Sequence, residues 1–230
     1  MSADEPGPLP RGLLDRLPGS SAADLAVLRD GGYLKLALPA RLGGAGLDLT
    51  GLACAQRQLA ARAPATARTL NAHHAWVGAA ADVLASGDGE PEWILADAAR
   101  GRRFTGFGPE PRHGDALAAG WYAWSLALDG MTSYAIARRA FDQALEQGRP
   151  GLDGWPLAEA ALRLDDMRGR LDEVIAGWQQ RVAAGGDLLR LDPGRLSLIR
   201  QFTARHVAAD GLHRVAELIA AVPAGHAEAA

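Results

Sequence analysis

Cysteine is nearly missing from this chain: Cys54 stands alone in 230 residues. An intramolecular disulfide and a zinc site built on cysteines are therefore excluded. Lys35 is the only lysine, so almost all positive charge is carried by arginine, which reads as a compositional bias before it reads as function. Long apolar runs are missing too. The longest uncharged one, Ala116 to Leu128, falls short of the roughly 20 residues that span a bilayer. The opening MSADEPGPLPRG holds acids and prolines but no apolar stretch of the kind a secretory leader needs, so a cytoplasmic home is expected. Charge of either sign is close to balanced, with 24 basic and 27 acidic residues for a net −3. Such a balance gives no reason to expect a nucleic-acid or membrane-surface partner. β-branched residues are few, and no segment shows a convincing strand pattern.

What is present in quantity is Ala, Leu, Arg and Glu, which favours helix almost everywhere. The pattern predicts helices over Ala22 to Asp30, Gly51 to Arg62 with Thr50 as cap, Ala65 to Ala85, Trp93 to Arg100, Ala116 to Gln147, Leu157 to Ala184 and Arg195 to Ala221. Gly31 and Gly32 end the first, and Pro64 stops the second. Between the first two lies DGGYLKLALPARLGGAG, with five glycines and one proline in 17 residues. Glycine is needed where φ is positive or where the backbone approaches something closely, so this segment is a shaped connection. Leu34, Leu36 and Leu38 alternate briefly within it, which predicts extended or irregular backbone. The turn at Gly43 to Gly46 is not a phosphate loop, because no Lys-Ser/Thr pair follows it.

Several residues carry potential chemistry. Asn71, His73, His74 and Trp76 cluster on one predicted helix, with Asn71 and His74 on one face and His73 and Trp76 on another. A neutral imidazole there can act as a general base; equally, the two histidines can be interfacial, one hydrogen-bonded in the core and one wet. Trp121, Tyr122 and Trp124 form either an aromatic wall for an acyl chain or planar ligand or simple packing. Asp129 lies beyond them on the same helix. Arg100, Arg102, Arg103 and Arg112 could meet a phosphate or form a solvated charged run. His206, Asp210 and His213 share a helix, but the Glu-x-x-His pattern of a di-iron bundle is missing, and no metal is expected.

The order of these parts resembles the acyl-CoA dehydrogenase family. In that family's N-terminal domain a helix ends at Asp-Gly, a short apolar run leads to Pro, and a Gly-Gly-x-Gly turn opens the next helix. Asp30, Gly31, Pro39, Gly43, Gly44 and Gly46 stand in those places. ARTLNAHHAWVGAAADVLASGD and the short helix ending at Arg100-Gly101 follow in the family's order. Thr132 to Gln147 is similar to the first helix of the family's C-terminal domain, Leu164-Asp165-Asp166-Met167 to its Leu-Ala-Asp-Met helix, and Leu196 to Ile219 to a later one. The likeness covers roughly residues 20 to 221.

The departures from the family are informative. A β-domain of roughly 100 residues, a domain in its own right, separates the family's helical halves, whereas only Gly108 to Ala118 is available for it here. Pro109 replaces the threonine of a Thr-Glu-Pro flavin motif while Glu110 and Pro111 remain. The phenylalanine of the Arg-x-x-Phe-Gly loop is missing near Arg149, and Ala161 stands near the expected glutamine. Ala220 and Ala221 replace both glycines of a Gln-x-x-Gly-Gly motif, where a Cβ would block close approach to a phosphate. The family's usual catalytic glutamate lies beyond that motif, and Glu228 is a poor substitute. A subfamily's alternative base falls near Ser125, one turn before Asp129.

The resemblance therefore implies an all-α protein, two acyl-CoA dehydrogenase-like helical bundles without the β-domain. The expected division is an N-terminal extension over 1–20, flexible in expectation, then a helical subdomain over 21–112, a C-terminal bundle over 113–222 and a tail over 223–230. No cofactor of its own is expected, with FAD the one the family would imply. Expected partners are a second copy or a full-length relative, and acyl-CoA or a related small molecule. Three functions follow: a repurposed acyl-thioester or small-molecule binding protein or partner subunit; an FAD-dependent acyl-CoA oxidoreductase whose flavin contacts come from another chain; or a flavin-free enzyme reusing the vacated cleft. For the last, His73, His74 and Asp129 are the candidate catalytic groups, and Asn71, Trp76, Trp121, Tyr122 and Trp124 the candidate substrate contacts.

Overall fold

The computed structural model describes residues 9–10, 12–87, 89–106, 116–146 and 155–184. Among them it is all-helical, with six α-helices and no strand: α1 (Ser21–Asp30), α2 (Leu49–Arg62), α3 (Pro64–Ala85), α4 (Glu92–Ala99), α5 (Ala116–Glu146) and α6 (Trp155–Ala183). The boundaries follow local chemistry. Pro64 does two jobs: it closes α2 and occupies the first position of α3, where its missing N–H costs nothing. The start of α2 corrects one expectation. Asp48, not Thr50, is the cap, its carboxylate accepting from the Gly51 N–H at 2.8 Å. Thr50 lies inside the helix and donates instead to the Gln179 side-chain oxygen on α6 at 2.8 Å. The predicted helix over Arg195 to Ala221, with His206, Asp210 and His213, lies outside the described residues, as do Arg112, Arg149 and Glu228.

Helix α3 is central. Buried residues lie on nearly every side of it, from Thr66 to Val83, as expected of a helix enclosed by others. Helix α5 packs along α3 and α2 most extensively, α6 lies against α5 and touches α2, and α4 sits on α3. Helix α6 is amphipathic: Leu164, Met167, Leu171, Ile175 and Trp178 form the buried stripe, while Arg163–Glu159, Arg168–Asp172 and Arg170–Asp166 pair one turn apart on its outer side. One contiguous core runs from Leu13 and Leu17 through α6. Part of the 1–20 extension thus belongs to the packed body, since Leu13 and Leu17 are buried. No described helix is long and apolar enough to cross a membrane.

Small residues let α3 and α5 come close. A Cβ on Gly120 would sit 3.1 Å from the Ala79 Cβ, and one on Gly78 would fall 2.3 Å from the Trp124 ring, which lies against that glycine. The Trp124 indole N–H then donates to Asp82 Oδ2 at 2.7 Å, and Trp178 from α6 donates to the same oxygen at 2.7 Å. One carboxylate oxygen therefore ties three helices together. Burial raises the Asp82 carboxyl above its ordinary range, the two indole bonds pull it down, and Asp48 raises it further.

The glycine-rich connection is compact rather than extended. A 3₁₀ turn covers Tyr33–Lys35, another covers Ala40–Leu42, and Leu34, Leu36 and Leu38 are all buried. A Cβ on Gly44 would lie 2.0 Å from the Leu38 carbonyl oxygen. The close approach that this glycine permits is thus to the chain's own backbone.

Candidate functional site

The four residues singled out on α3 face three different neighbours. Asn71 is a junction in a buried polar chain. The Tyr33 hydroxyl donates to Gln56 Oε1 at 2.7 Å, and Gln56 Nε2 donates to the Ala67 carbonyl and to Asn71 Oδ1, both at 2.6 Å. Asn71 Nδ2 donates in turn to Asp129 Oδ1 and, at 3.3 Å, lies beside Thr132 Oγ1. Tyr33, Gln56, Asn71 and Thr132 are buried, so each bond replaces water that the interior excludes. Asp129 keeps an exposed side. Crowding on its other side raises its carboxyl above the ordinary range, against the hydrogen bonds from Asn71 and Ser125 and the charge of Arg68, which lower it. The chain joins α2, α3, α5 and the turn after α1, and Asp129 is its solvent end.

His73 is 1% exposed and uses both ring nitrogens. Nε2 lies 2.9 Å from the Leu34 carbonyl, and Nδ1 lies 3.2 Å from the Phe104 N–H. An amide N–H can only donate and a carbonyl can only accept, so the ring is the neutral tautomer with its proton on Nε2. Burial lowers its pKa foremost, the Leu34 hydrogen bond raises it, and the charge of Arg103 lowers it again. His73 thereby pins two irregular segments to α3. His74 is fully buried, and neither of its ring nitrogens has a hydrogen-bond partner. It packs edge-on to Tyr33 and to His73, each at 5.3 Å between centroids. Burial drives its pKa well below the ordinary histidine range, and neighbouring His73 adds to that.

The aromatic residues separate into two groups. Trp124 is spent on Gly78 and Asp82. Trp121 and Tyr122 instead continue a row of rings that crosses α4, α3 and α5: Trp93–Phe104 at 6.1 Å, Phe104–Trp76 at 6.4 Å, Trp76–Trp121 at 6.2 Å and Trp121–Tyr122 at 5.3 Å. His73 stacks beneath Phe104 at 6.1 Å, with the planes 15° apart. Trp93 is 58% exposed, and Phe104, Trp76 and Tyr122 are partly exposed. Trp121 is 9% exposed, and its indole N–H has no acceptor. Phe104 and Trp93 were not among the sequence candidates. Only their neighbourhood in space, set by the His73–Phe104 bond, brings them into the row.

Of the basic residues near this row, Arg100 and Arg102 both pair with Asp97, at 3.1 and 3.2 Å. Arg103 is exposed and has no ion pair among the described residues. A separate groove of about 440 Å³ opens between α2 and α5, lined in part by Arg57, Tyr134, Arg138, Arg139 and Glu146. Two of its arginines are already engaged, Arg138 with Asp142 and Arg139 with the Ala61 carbonyl. No group of three or more metal-binding side chains occurs among the described residues.

Taken together, the described residues bring Asn71 to Asp129 and bring His73, Trp76, Trp121 and Tyr122 to one aromatic row. No hydrogen bond joins either histidine to Asp129. Compared with family models, with curated proteins and with solved structures, the chain matches none.

Proposed function

We propose that this chain is a binding protein, an acyl-CoA dehydrogenase-like pair of helical bundles without flavin chemistry of its own, which offers an aromatic surface to an acyl chain or a flat small molecule. The observation that carries this reading is the row Trp93–Phe104–Trp76–Trp121–Tyr122. Its outer rings remain partly exposed, and its most buried member keeps a donor without an acceptor. A large indole left mostly exposed gains little from burial. That exposure makes sense as preparation for a ligand, whereas the enclosed Trp121 N–H is out of a surface ligand's reach.

The acid–base groups support the same reading by how they are occupied. His73 has both nitrogens bonded, His74 is sealed from solvent, and Asp129 holds the Asn71 amide. The turn at Gly43 to Gly46 closes onto Leu38, whose carbonyl accepts from the Gly46 N–H at 2.8 Å, so the close approach it permits is to the chain's own backbone. Of the other segments likened to flavin contacts, Ala161 lies on α6, partly buried and packed against the core, and the rest lie outside the described residues.

The test is thermal denaturation of the purified protein with acyl thioesters of graded chain length and with flat aromatic compounds, read beside tryptophan fluorescence. A ligand present at about 100 times its Kd stabilises the native state by about 2.7 kcal/mol. The expected result is a concentration-dependent rise in Tm with a change in emission, both lost in Trp76→Ala. A flavin absorbance band that survives gel filtration would displace this reading, and so would the failure of every compound to shift Tm.

A further inference from the structure

Positive charge is unevenly placed beside the aromatic row. Three arginines follow α4, yet they are not equivalent. Arg100 and Arg102 converge on the two oxygens of Asp97. Arg103, the residue directly before Phe104, is exposed and forms no ion pair with the other described residues. The backbone beside it is held, because the Phe104 N–H donates to His73 Nδ1 at 3.2 Å and the Phe104 ring lies between Trp93 and Trp76. The positive charge of Arg103 adds the smallest of three influences on the His73 ring, after burial and the Leu34 hydrogen bond, and disfavours its protonation. Asp97, the acid near the end of α4 among the described residues, is already shared by two guanidinium groups.

We propose that the ligand of this row is an organic anion, its flat or apolar body lying on Trp93, Phe104 and Trp76 and its carboxylate, sulfonate or phosphate meeting Arg103. This rests on the binding reading given above and adds the charge of the ligand to it. Aromatic faces supply apolar area but carry a negative quadrupole that by itself favours cations, so any preference for an anion comes from the guanidinium, whose planar fork suits oxyanions. The site is open to solvent, so the preference is modest and sensitive to salt.

Isothermal titration calorimetry with naphthalene-2-sulfonate, neutral naphthalene-2-methanol and cationic 2-naphthylmethylammonium separates body from head. The expected order is sulfonate over alcohol over ammonium, with the sulfonate about threefold to fivefold tighter than the alcohol, the scale of an exposed charge pair. Arg103→Ala removes that advantage and leaves the alcohol unchanged. Arg103→Glu inverts the order. Arg138→Ala, 17 residues and about 25 Å along α5 from Trp121, changes nothing. Trp93→Ala weakens sulfonate and alcohol alike. Because Arg103 and Trp93 are exposed, far-UV circular dichroism of their variants should match the parent. Equal binding of sulfonate and alcohol, or an anion preference that survives Arg103→Ala, overturns the inference and leaves the binding reading intact. Binding by none of the three overturns both.

Discussion

Replacing His74 by leucine should make the protein more stable, although His74 is the residue that most resembles a buried catalytic base. The side chain is fully enclosed and both ring nitrogens lack partners. Enclosing a polar atom without a hydrogen bond costs about 1–3 kcal/mol. Leucine has comparable bulk, removes both orphaned atoms and has the better helix propensity. Against this stands the loss of two edge-on ring contacts, with Tyr33 and His73, each worth about 0.5–1.5 kcal/mol. The balance is a gain of about 1 kcal/mol at neutral pH. The gain should grow in acid. His73 and His74 have folded pKa values below the ordinary histidine value, so the unfolded chain binds protons that the folded chain refuses. Their stability contribution is complete above pH about 6.5 and is lost as pH falls toward the folded values, at about 1.4 kcal/mol per pH unit for each ring. His74→Leu removes one of these two rings from the slope. Asp82 and Asp129, whose folded carboxyls are raised, act in the opposite sense: as pH falls through their folded values, folding gains. Urea unfolding followed by circular dichroism at pH 7.5, 6.5, 6.0 and 5.5 reads both effects. A loss of more than about 1 kcal/mol at pH 7.5, or an unchanged slope below pH 6.5, would refute the reasoning and indicate that an ordered water satisfies His74.

Two further outcomes concern the packing of α3. Asp82→Ala strands two indole N–H groups, those of Trp124 and Trp178, and should cost about 2–4 kcal/mol, whereas Asp82→Asn keeps an acceptor oxygen and should cost less; denaturant midpoints that rank the two variants the other way count against the bridge. Gly78→Ala drives a methyl into the Trp124 ring and should lose about 1–3 kcal/mol despite better helix propensity, while Gly169→Ala on α6, with nothing within 4 Å of the new methyl, should gain up to about 1 kcal/mol. Equal Tm changes for these two glycines would show that α3 and α5 are not so closely packed.

How much was legible in advance depends on the range of the physics involved. Pro64, Gly31 and the Ala/Leu-rich stretches act on their own few residues, so the helices over α1 to α6 could be placed to within about two residues. The cap of α2 failed on the same scale, because Asp48 and Thr50 are both good caps and only the helix start decides between them. Leu34, Leu36 and Leu38 alternate as strand residues would, yet all three are buried, because the two 3₁₀ turns fold the segment onto α1, α3 and α4.

For the site, residue type alone marked His73, His74, Asn71 and Asp129 but could not assign their roles. A histidine's role is fixed by what lies within about 3 Å of each nitrogen, and those atoms belong to Leu34 and Phe104, 39 and 31 residues away. Trp121 and Trp124 are three positions apart, yet one joins the aromatic row and the other binds Asp82 across the helix interface. The sequence by itself determined that this protein is helical and where its helices turn, because propensity, proline and glycine act locally on the backbone. Only the tertiary structure decided which polar groups among the described residues are satisfied and which are orphaned, because partners and burial come from residues distant along the chain.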